Sequence, residues 1–228
     1  ACAVVAALTA QNTRAVTDIA PVDPRFVRAQ IDTLFDDLTL HAVKIGMLGQ
    51  RGVIDVVADR LAQFAPPHIV LDPVMVAKSG DLLLEQAAVG ALREQLVPLA
   101  TVLTPNLPEA GVLLAQRSVE TVREMRRVAE QLRNLMSYSG HRWVLLKGGH
   151  LPGTDTIDLL HDGDVMIELP GHRIETRNTH GTGCTLSAAL AALLPQADNT
   201  PEAARRAKAY LVGAITHADA LDVGHGHG

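Results

Sequence analysis

The chain has 228 residues, of which 47% are hydrophobic, 20% charged and 3% aromatic, and its formal net charge is −5. Such a chain can fill the core of one domain, while its negative charge and few aromatic rings argue against a nucleic-acid partner. The longest apolar runs are too short to span a bilayer, and two cysteines, Cys2 and Cys184, cannot form a disulfide framework. These features predict a cytoplasmic protein that binds a small molecule and has no membrane partner.

Short apolar runs alternate with helical patterns along the first half of the chain. A strand-like run at residues 3–8 opens the sequence, which starts without a methionine, so we expect a further segment upstream. Asp23 and Pro24 have the form of an N-cap and a first helical residue, and helical spacing of apolar residues continues to Thr39. The next predicted elements are strand 43–47, helix 53–64, strand 69–71, helix 82–96 and strand 101–104.

The second half continues this alternation and then changes. Helices are predicted at 107–114 and 121–135, followed by a strand at 143–147, a hairpin formed by 157–160 and 165–169, and helices at 185–194 and 201–221. This order predicts an α/β fold whose mostly parallel sheet has helices on both faces and an antiparallel edge hairpin. Because no repeat or linker interrupts the pattern, we interpret residues 1–228 as a single domain.

Polar residues follow the predicted strands. Since ligands bind at the carboxyl ends of strands in such sheets, these positions are the candidates for a binding site. The segments concerned are 9–13, 46–49, 72–75, 104–109 and 147–150. They would bring an amide, two acidic groups and a lysine to one edge of the sheet.

The segment from Asn178 to Cys184, Asn-Thr-His-Gly-Thr-Gly-Cys, runs directly into a helical pattern of small apolar residues. Two glycines allow a ligand to approach the backbone, and a helix start offers unpaired N–H groups and a positive dipole to an anion. A thiol in that field ionises more readily than in a free peptide, so Cys184 could serve as a base or nucleophile. The alternative is a glycine-containing turn before a core helix, with Cys184 a small buried hydrophobe.

Taken together, six segments in collinear order resemble the hydroxymethylpyrimidine/phosphomethylpyrimidine kinases of thiamine biosynthesis, in the ribokinase-like superfamily. They are residues 8–13, 44–48, 71–75, 103–110, 146–150 and 178–186. The resemblance covers nearly the whole chain and implies a three-layer α/β/α ribokinase-like fold, ATP with Mg²⁺, and a homodimer. The sequence departs from the family pattern at both ends: an opening strand with a Gly-Ser-Asp segment that helps enclose the pyrimidine would precede residue 1, and the glycine-rich tail is short.

The resemblance also implies roles in the chemistry. The N–H groups of Gly181, Thr182, Gly183 and Cys184 would hold the transferring phosphoryl group, and the Cys184 thiolate would take the proton of the pyrimidine's hydroxymethyl group. A second transfer, onto the monophosphate, starts from an ionised oxygen and needs no strong base. One site could therefore run both steps.

Further residues are expected at the nucleotide and the metal. Lys147, Thr179 and Asp72 would lie at the ATP phosphates, and Asn106 and Glu109 match an Asn-x-x-Glu pattern that holds Mg²⁺ through its water shell. Each has a structural alternative. Lys147 could be a solvated strand end, Asp72 a turn residue, and the Asn106 to Glu109 segment an ordinary helix start.

Gln11 is the expected specificity residue, because an amide can pair with both a ring nitrogen and the exocyclic amine of an aminopyrimidine. Met47 and Val74 match positions that flank the ring in the family, although apolar residues after strands are often simply core. His180 is expected to be structural or a neighbour of the phosphate.

Three functions are compatible with this sequence. The first is a kinase that phosphorylates hydroxymethylpyrimidine and its monophosphate for thiamine synthesis. The alternative is a pyridoxine or pyridoxal kinase, since related vitamin kinases share the scaffold, and Gln11 favours the pyrimidine. A non-catalytic pyrimidine-binding protein is the third, but Lys147 and Cys184 argue for catalysis.

Overall fold

A computed structural model of the chain describes residues 1–75, 84, 86–220 and 224–226. The strands are β1 (Ala7–Gln11), β2 (Val16–Pro21), β3 (Ala42–Ile45), β4 (His68–Leu71), β5 (Val102–Leu103), β6 (Trp143–Leu146), β7 (Asp155–His161) and β8 (Met166–His172). The helices are α1 (Pro24–Asp37), α2 (Arg51–Phe64), α3 (Gln86–Ala91), α4 (Leu107–Leu114), α5 (Val122–Leu135), α6 (Thr182–Leu193) and α7 (Thr200–Thr216). Among the described residues, no helix combines the length and apolar character needed to cross a membrane.

Six strands form the central sheet in the order β3-β4-β5-β6-β7-β8. The first four run parallel, and β7 and β8 extend the sheet as an antiparallel hairpin. At the hairpin turn the Asp162 carboxylate accepts N–H bonds from Asp164 and Val165, and Gly163 adopts a φ of 113°. The mostly parallel sheet and the antiparallel edge hairpin are confirmed.

The core lies on both faces of this sheet. Successive strand residues point to opposite faces, so Val70 of β4 packs with α6 and α7, whereas Ile69 and Leu71 pack with the remaining helices. The same alternation occurs in β6, where Trp143 and Leu145 face α6 and α7. The protein therefore has the predicted three α/β/α layers.

Two predicted helix starts have the expected local chemistry. The Asp23 side chain accepts from the N–H of Arg25 and Pro24 is the first residue of α1. α5 begins after Thr121, whose hydroxyl accepts from the N–H of Glu124. Sequence capping signals thus set these boundaries.

The beginning of the chain differs from the prediction. The first strand starts at Ala7 rather than residue 3, includes Gln11, and pairs antiparallel with β2 in a separate two-stranded sheet. β2 was not predicted, because its partly buried residues Val16 and Ile19 are three positions apart and do not alternate. Gln11 therefore lies on a strand outside the central sheet.

Two helices also differ in their bounds. α6 begins at Thr182, three residues earlier than predicted, so Gly183 and Cys184 belong to its first turn. The last helix ends at Thr216 and is followed by a 3₁₀ turn at Ala218–Ala220. In the helix predicted at 82–96, residues 86–96 are helical, and the last five of them form a π-helix. Residues 82, 83 and 85 of this prediction lie outside the described residues, as does residue 221 of the last predicted helix.

Candidate active site

A cleft of about 890 Å³ opens at the carboxyl ends of the parallel strands. All twelve residues predicted for the site line it: Gln11, Met47, Asp72, Val74, Asn106, Glu109, Lys147, Thr179, Gly181, Thr182, Gly183 and Cys184. Its volume lies within the range of small-molecule sites. The sheet topology thus brings together residues that are far apart in the sequence.

Asp72 is the buried centre of the cleft's charged groups. It follows β4 and is 1% exposed, and its carboxylate accepts from Lys147 Nζ at 2.9 Å, from Ser187 Oγ at 3.0 Å and from Thr104 Oγ1 at 3.2 Å. These donors come from the ends of β6 and β5 and from α6. Because its oxygens are engaged in this way, Asp72 anchors the lysine and the helix to the sheet.

Lys147 is held against the first turn of α6. A Cβ atom added to Gly183 would lie 3.2 Å from Lys147 Nζ, so a side chain there would crowd the ammonium group. Burial lowers the pKa of Lys147, but the Asp72 and Glu109 carboxylates and the Asp72 hydrogen bond outweigh it and raise the pKa overall. A charged lysine therefore stands beside the helix N-terminus.

Asn106 and Glu109 form a capping box at the start of α4. Asn106 Oδ1 accepts from the N–H of Glu109, and Glu109 Oε2 accepts from the N–H of Asn106, both at 2.8 Å. Burial raises the pKa of Glu109 to about 7, while Lys147 and the Asn106 N–H act in the opposite direction and Asp72 adds to the rise. The predicted helix start and a carboxylate facing the cleft are both present.

The N-terminus of α6 is open to a ligand. Its N-cap, Gly181, has a φ of 75° and supplies no side-chain cap, and the first helical residues Thr182, Gly183 and Cys184 line the cleft. Within the described part of the chain, Thr179 Oγ1 is a buried side-chain atom without a hydrogen-bond partner. The Cys184 thiol is free and exposed, which rules out the buried-hydrophobe alternative for this residue.

Gln11 reaches the loop before α6 from the small sheet. Its Nε2 atom lies 2.9 Å from Nε2 of His180, which lines the same cleft. Met47 and Val74 follow β3 and β4 and line the cleft as well. The structure thus groups the three predicted pyrimidine contacts with the loop before α6.

Charged residues of the edge hairpin and α7 complete the cleft and were not found by sequence reasoning. Asp158 of β7 accepts from the N–H of Gly148 at 2.9 Å and pairs with Lys208 Nζ of α7 at 2.8 Å. Arg173 donates to three carbonyl oxygens of the segment that follows Lys147; they belong to Gly149, Leu151 and Gly153. Asp158 could have been predicted as a site residue, because its carboxylate interrupts the apolar pattern of β7. The sequence around Lys208 and Arg173 contains no such indication.

Apolar residues of α7 also line the cleft. They are Leu211, Val212 and Ile215. Sequence analysis predicted a helix for this segment but did not connect it with the site. The cleft therefore combines charged groups with an apolar surface.

A partly buried lysine beside an uncapped helix N-terminus, at the carboxyl edge of the sheet of an α/β/α protein, is an arrangement suited to phosphate groups and typical of small-molecule phosphotransferases. Comparison with known proteins narrows this class. The family model described as phosphomethylpyrimidine kinase matches residues 1–228. A hydroxymethylpyrimidine/phosphomethylpyrimidine kinase of Rhizobium meliloti (strain 1021) is 50% identical over 225 residues, covering 99% of this chain and 83% of the relative.

Crystal structures agree with this assignment. A phosphomethylpyrimidine kinase from Clostridium difficile 630 matches with a TM-score of 0.79 and 34% identity, over 93% of this chain and 85% of that one. A Bacillus subtilis pyridoxal kinase in an ADP complex matches with a TM-score of 0.80 and 33% identity, over 91% of this chain and 76% of that one. The chain belongs to the phosphomethylpyrimidine kinase family.

Proposed function

We propose that the protein transfers phosphoryl groups from ATP to 4-amino-5-hydroxymethyl-2-methylpyrimidine and then to its monophosphate, which gives the diphosphate used in thiamine synthesis. The observation that carries this proposal is the position of Lys147, which the buried Asp72 holds beside the first turn of α6. A fixed cation and free N–H groups at one point suit the charge of a transferring phosphoryl group.

The nucleotide would bind along the cleft with its phosphates at this charged end. Lys147 would neutralise the phosphates, and Thr179 Oγ1, buried without a partner in the described part of the chain, would donate to a phosphate oxygen. Asp72 would act at the same phosphates through Lys147. The base would lie toward Leu211 and Val212 of α7, where the cleft is apolar.

Mg²⁺ would be held at Glu109. The Asn106 side chain and one Glu109 oxygen are engaged in the capping box, so the second Glu109 oxygen is the one available to a metal's water shell. Hard oxygen ligands and retained water suit Mg²⁺, which usually binds through one or two carboxylates and the substrate's phosphates. When bound, Mg²⁺ would offset phosphate charge.

In the first transfer, the hydroxymethyl oxygen would attack the γ-phosphorus as its bond to the ADP oxygen breaks. Cys184, exposed in the first turn of α6, would accept the hydroxyl proton as a thiolate. The N–H groups of Thr182 and Gly183 would hold the equatorial oxygens. In the second transfer the attacking phosphate oxygen is already ionised, so positioning alone would suffice.

The pyrimidine would lie between Gln11, Met47 and Val74, with the amide of Gln11 reading its ring nitrogen and amine. Phosphorylation of pyridoxal is the second candidate, because the Bacillus subtilis pyridoxal kinase shares the fold at 33% identity. The relative with 50% identity is a pyrimidine kinase and favours the first.

Residues 1–228 would act as a single ribokinase-like kinase domain. We further propose a homodimer; Leu8 of β1 and Phe26 of α1, 59% and 63% exposed, are large apolar side chains that a second copy would cover. A reducing, cytoplasmic location fits the two free cysteines, Cys2 and Cys184. No nucleic-acid or membrane partner is proposed.

The test is a coupled ADP-release assay with hydroxymethylpyrimidine and pyridoxal side by side, with product identified by mass. We expect a higher kcat/KM for the pyrimidine and the appearance of its diphosphate. Arg25→Met, on the surface, is the matched control for Lys147→Met, which should abolish turnover. Turnover of pyridoxal alone would overturn the pyrimidine assignment.

A further inference from the structure

The carboxylate of Asp158 in β7 bonds to two parts of the cleft at once. Its Oδ1 atom accepts from the N–H of Gly148, the residue directly after Lys147, at 2.9 Å. Its Oδ2 atom pairs with Lys208 Nζ of α7 at 2.8 Å. The Asp158 and Lys208 side chains are 13% and 14% exposed, and both line the cleft. Backbone N–H and ammonium groups can only donate, so the direction of both contacts is fixed.

The bond to Gly148 lies where the pairing of β6 with β7 ends. The paired register of the two strands stops at Leu146. Beyond it, the N–H of Lys147 donates to the carbonyl oxygen of Pro105 at 2.9 Å, and the N–H of Gly148 donates to Asp158. The main chain is therefore held on both sides of the Lys147 side chain, once by the neighbouring strand end and once by a carboxylate.

The two glycines after Lys147 make the second anchor necessary. Only glycine fits at position 148, because a Cβ atom there would overlap the carbonyl oxygen of Ile157, whereas Gly149 has open surroundings. Glycine backbone adopts more conformations than that of any other residue. The Asp158 bond restricts this freedom at the position that decides where the Lys147 side chain starts.

Asp158 acts on Lys147 through the main chain rather than through its charge. The ammonium group of Lys147 bonds to the carboxylate of Asp72, whereas the carboxylate of Asp158 is paired with Lys208. Lys208 also donates to the carbonyl oxygen of Leu169 in β8, so α7 holds the edge hairpin at this point. The Asp158 carboxylate is thus itself fixed from the side of α7.

We propose that Asp158 is a positioning residue for phosphoryl transfer, which holds the backbone after Lys147 so that the ammonium group stays at the first turn of α6 when phosphate oxygens bind to it. Lys208 supports this role by fixing the Asp158 carboxylate. The inference rests on the proposed transfer from ATP, but it does not depend on which acceptor ring is phosphorylated.

A matched pair of variants isolates the bond to Gly148. Both carry Lys208→Met, so no ammonium group is left without its carboxylate, and they differ only at position 158. Asp158→Asn keeps an oxygen acceptor at the same distance from the main chain, whereas Asp158→Val has none. Valine suits a strand, and apolar residues often replace a buried ion pair without loss of stability, so both variants should fold.

We expect kcat/KM for ATP to be about 10–100-fold lower in Asp158→Val/Lys208→Met than in Asp158→Asn/Lys208→Met, since small displacements of positioning groups have effects of this size. The KM for the acceptor should differ by less than about twofold, because the bond lies at the phosphates. Asp158→Thr in the same background, whose hydroxyl is too short to reach Gly148, should repeat the loss. Asp164→Val, at the exposed turn of the same hairpin, is the control for introducing valine.

Nucleotide affinity gives a readout that needs no turnover and that a general loss of stability would not produce. In calorimetry with Mg²⁺ and a non-hydrolysable ATP analogue, the Kd should be about 10-fold higher for Asp158→Val/Lys208→Met than for Asp158→Asn/Lys208→Met. The Kd for adenosine, which has no phosphates, should differ by less than about twofold. When Lys147→Met is added to both variants, the difference for the ATP analogue should disappear, because Asp158 acts through Lys147.

The outcomes separate the role of Asp158 from the proposed function. Equal kcat/KM and equal nucleotide affinity in the two variants, from a parent protein that turns over, would overturn only the role of Asp158. A difference in affinity that persists undiminished after Lys147→Met, or that is as large for adenosine as for the ATP analogue, would also overturn it. A parent protein that transfers no phosphoryl group from ATP to either acceptor would overturn the proposed function itself.

Discussion

At the scale of single residues, the proposed role of the Cys184 thiol as proton acceptor predicts different effects on the two proposed transfers. We expect Cys184→Ala to slow phosphorylation of the hydroxymethyl group by about 10²–10⁴-fold, the usual range for a positioned proton acceptor. The transfer onto the monophosphate should suffer much less, because its acceptor oxygen is already ionised and the N–H groups of α6 remain. Rapid-quench measurement of each half-reaction on its own substrate gives both rates, and Cys2→Ala serves as the thiol control.

Equal losses in the two half-reactions would assign Cys184 a structural or anion-binding role. No loss in either would show that the thiol takes part in neither transfer.

Glu109 links stability to pH. Folding raises its pKa from 4.5 to about 7, chiefly through burial, so the native state keeps a proton that the unfolded chain releases. The resulting stability is complete below pH 4.5, declines as pH rises and is lost above about pH 7; its size is on the order of 3 kcal/mol. Glu109→Gln, neutral throughout, should therefore be more stable than the parent at pH 8 by about 1–3 kcal/mol while turning over more slowly.

Urea unfolding at pH 5 and pH 8 measures this difference, with Glu130→Gln on the exposed face of α5 as the control. The parent should lose stability between the two pH values by more than the variant does. A Glu109→Gln variant that is no more stable than the parent at pH 8 would contradict the burial of Glu109. A variant whose turnover depends on Mg²⁺ concentration as the parent's does would contradict the proposed metal contact of Glu109.

At the scale of elements, the connection from β6 to β7 contains two adjacent glycines with different surroundings. A Cβ on Gly148 would lie 1.9 Å from the carbonyl oxygen of Ile157, whereas a Cβ on Gly149 has nothing within 4 Å. Gly148→Ala should destabilise the fold by about 2 kcal/mol or more, since backbone must move to admit the methyl group. Thermal unfolding of the two alanine variants compares them directly.

Gly149→Ala is the matched control and should stay close to the parent in unfolding temperature. Equal unfolding temperatures of the two variants would mean that Gly148 does not lie as close to the Ile157 carbonyl oxygen as the structure shows.

The elements that the sequence predicted well are those with a local signal. Asp23 with Pro24 and Asn106 with Glu109 mark helix starts by their own side chains, and polar residues at the ends of apolar strands marked the cleft. β2 lacks such a signal because two strands without a buried face do not alternate. Lys208 faces the cleft only because α7 packs on one particular face of the sheet, and that packing cannot be read from the residues of α7.

At the scale of the whole molecule, the two sheets should differ in local stability. β1 and β2 form a two-stranded sheet with mostly exposed residues, whereas β4, β5 and β6 are almost entirely buried. We expect backbone amides in β1 and β2 to exchange with solvent at least about 10-fold faster than those in β5 and β6. Hydrogen-exchange mass spectrometry of the free protein measures this directly.

The same experiment with the pyrimidine bound should slow exchange in β1, which carries Gln11, more than in β5. Equal protection in both sheets without a ligand would show that the small sheet is as firmly held as the central one.

The Asp72 carboxylate joins the ends of three central strands to α6, whereas Gln11 stands on a strand outside that framework. Of the three residues proposed to contact the pyrimidine, Met47 and Val74 follow strands of the central sheet, whereas Gln11 lies in the small sheet. A substitution in the small sheet can therefore change the side chain at the Gln11 position while the hydrogen bonds of Asp72 to Lys147, Thr104 and Ser187 stay in place. In this way the part of the cleft at the small sheet can diverge in evolution while the hydrogen-bonded part around Asp72 is retained.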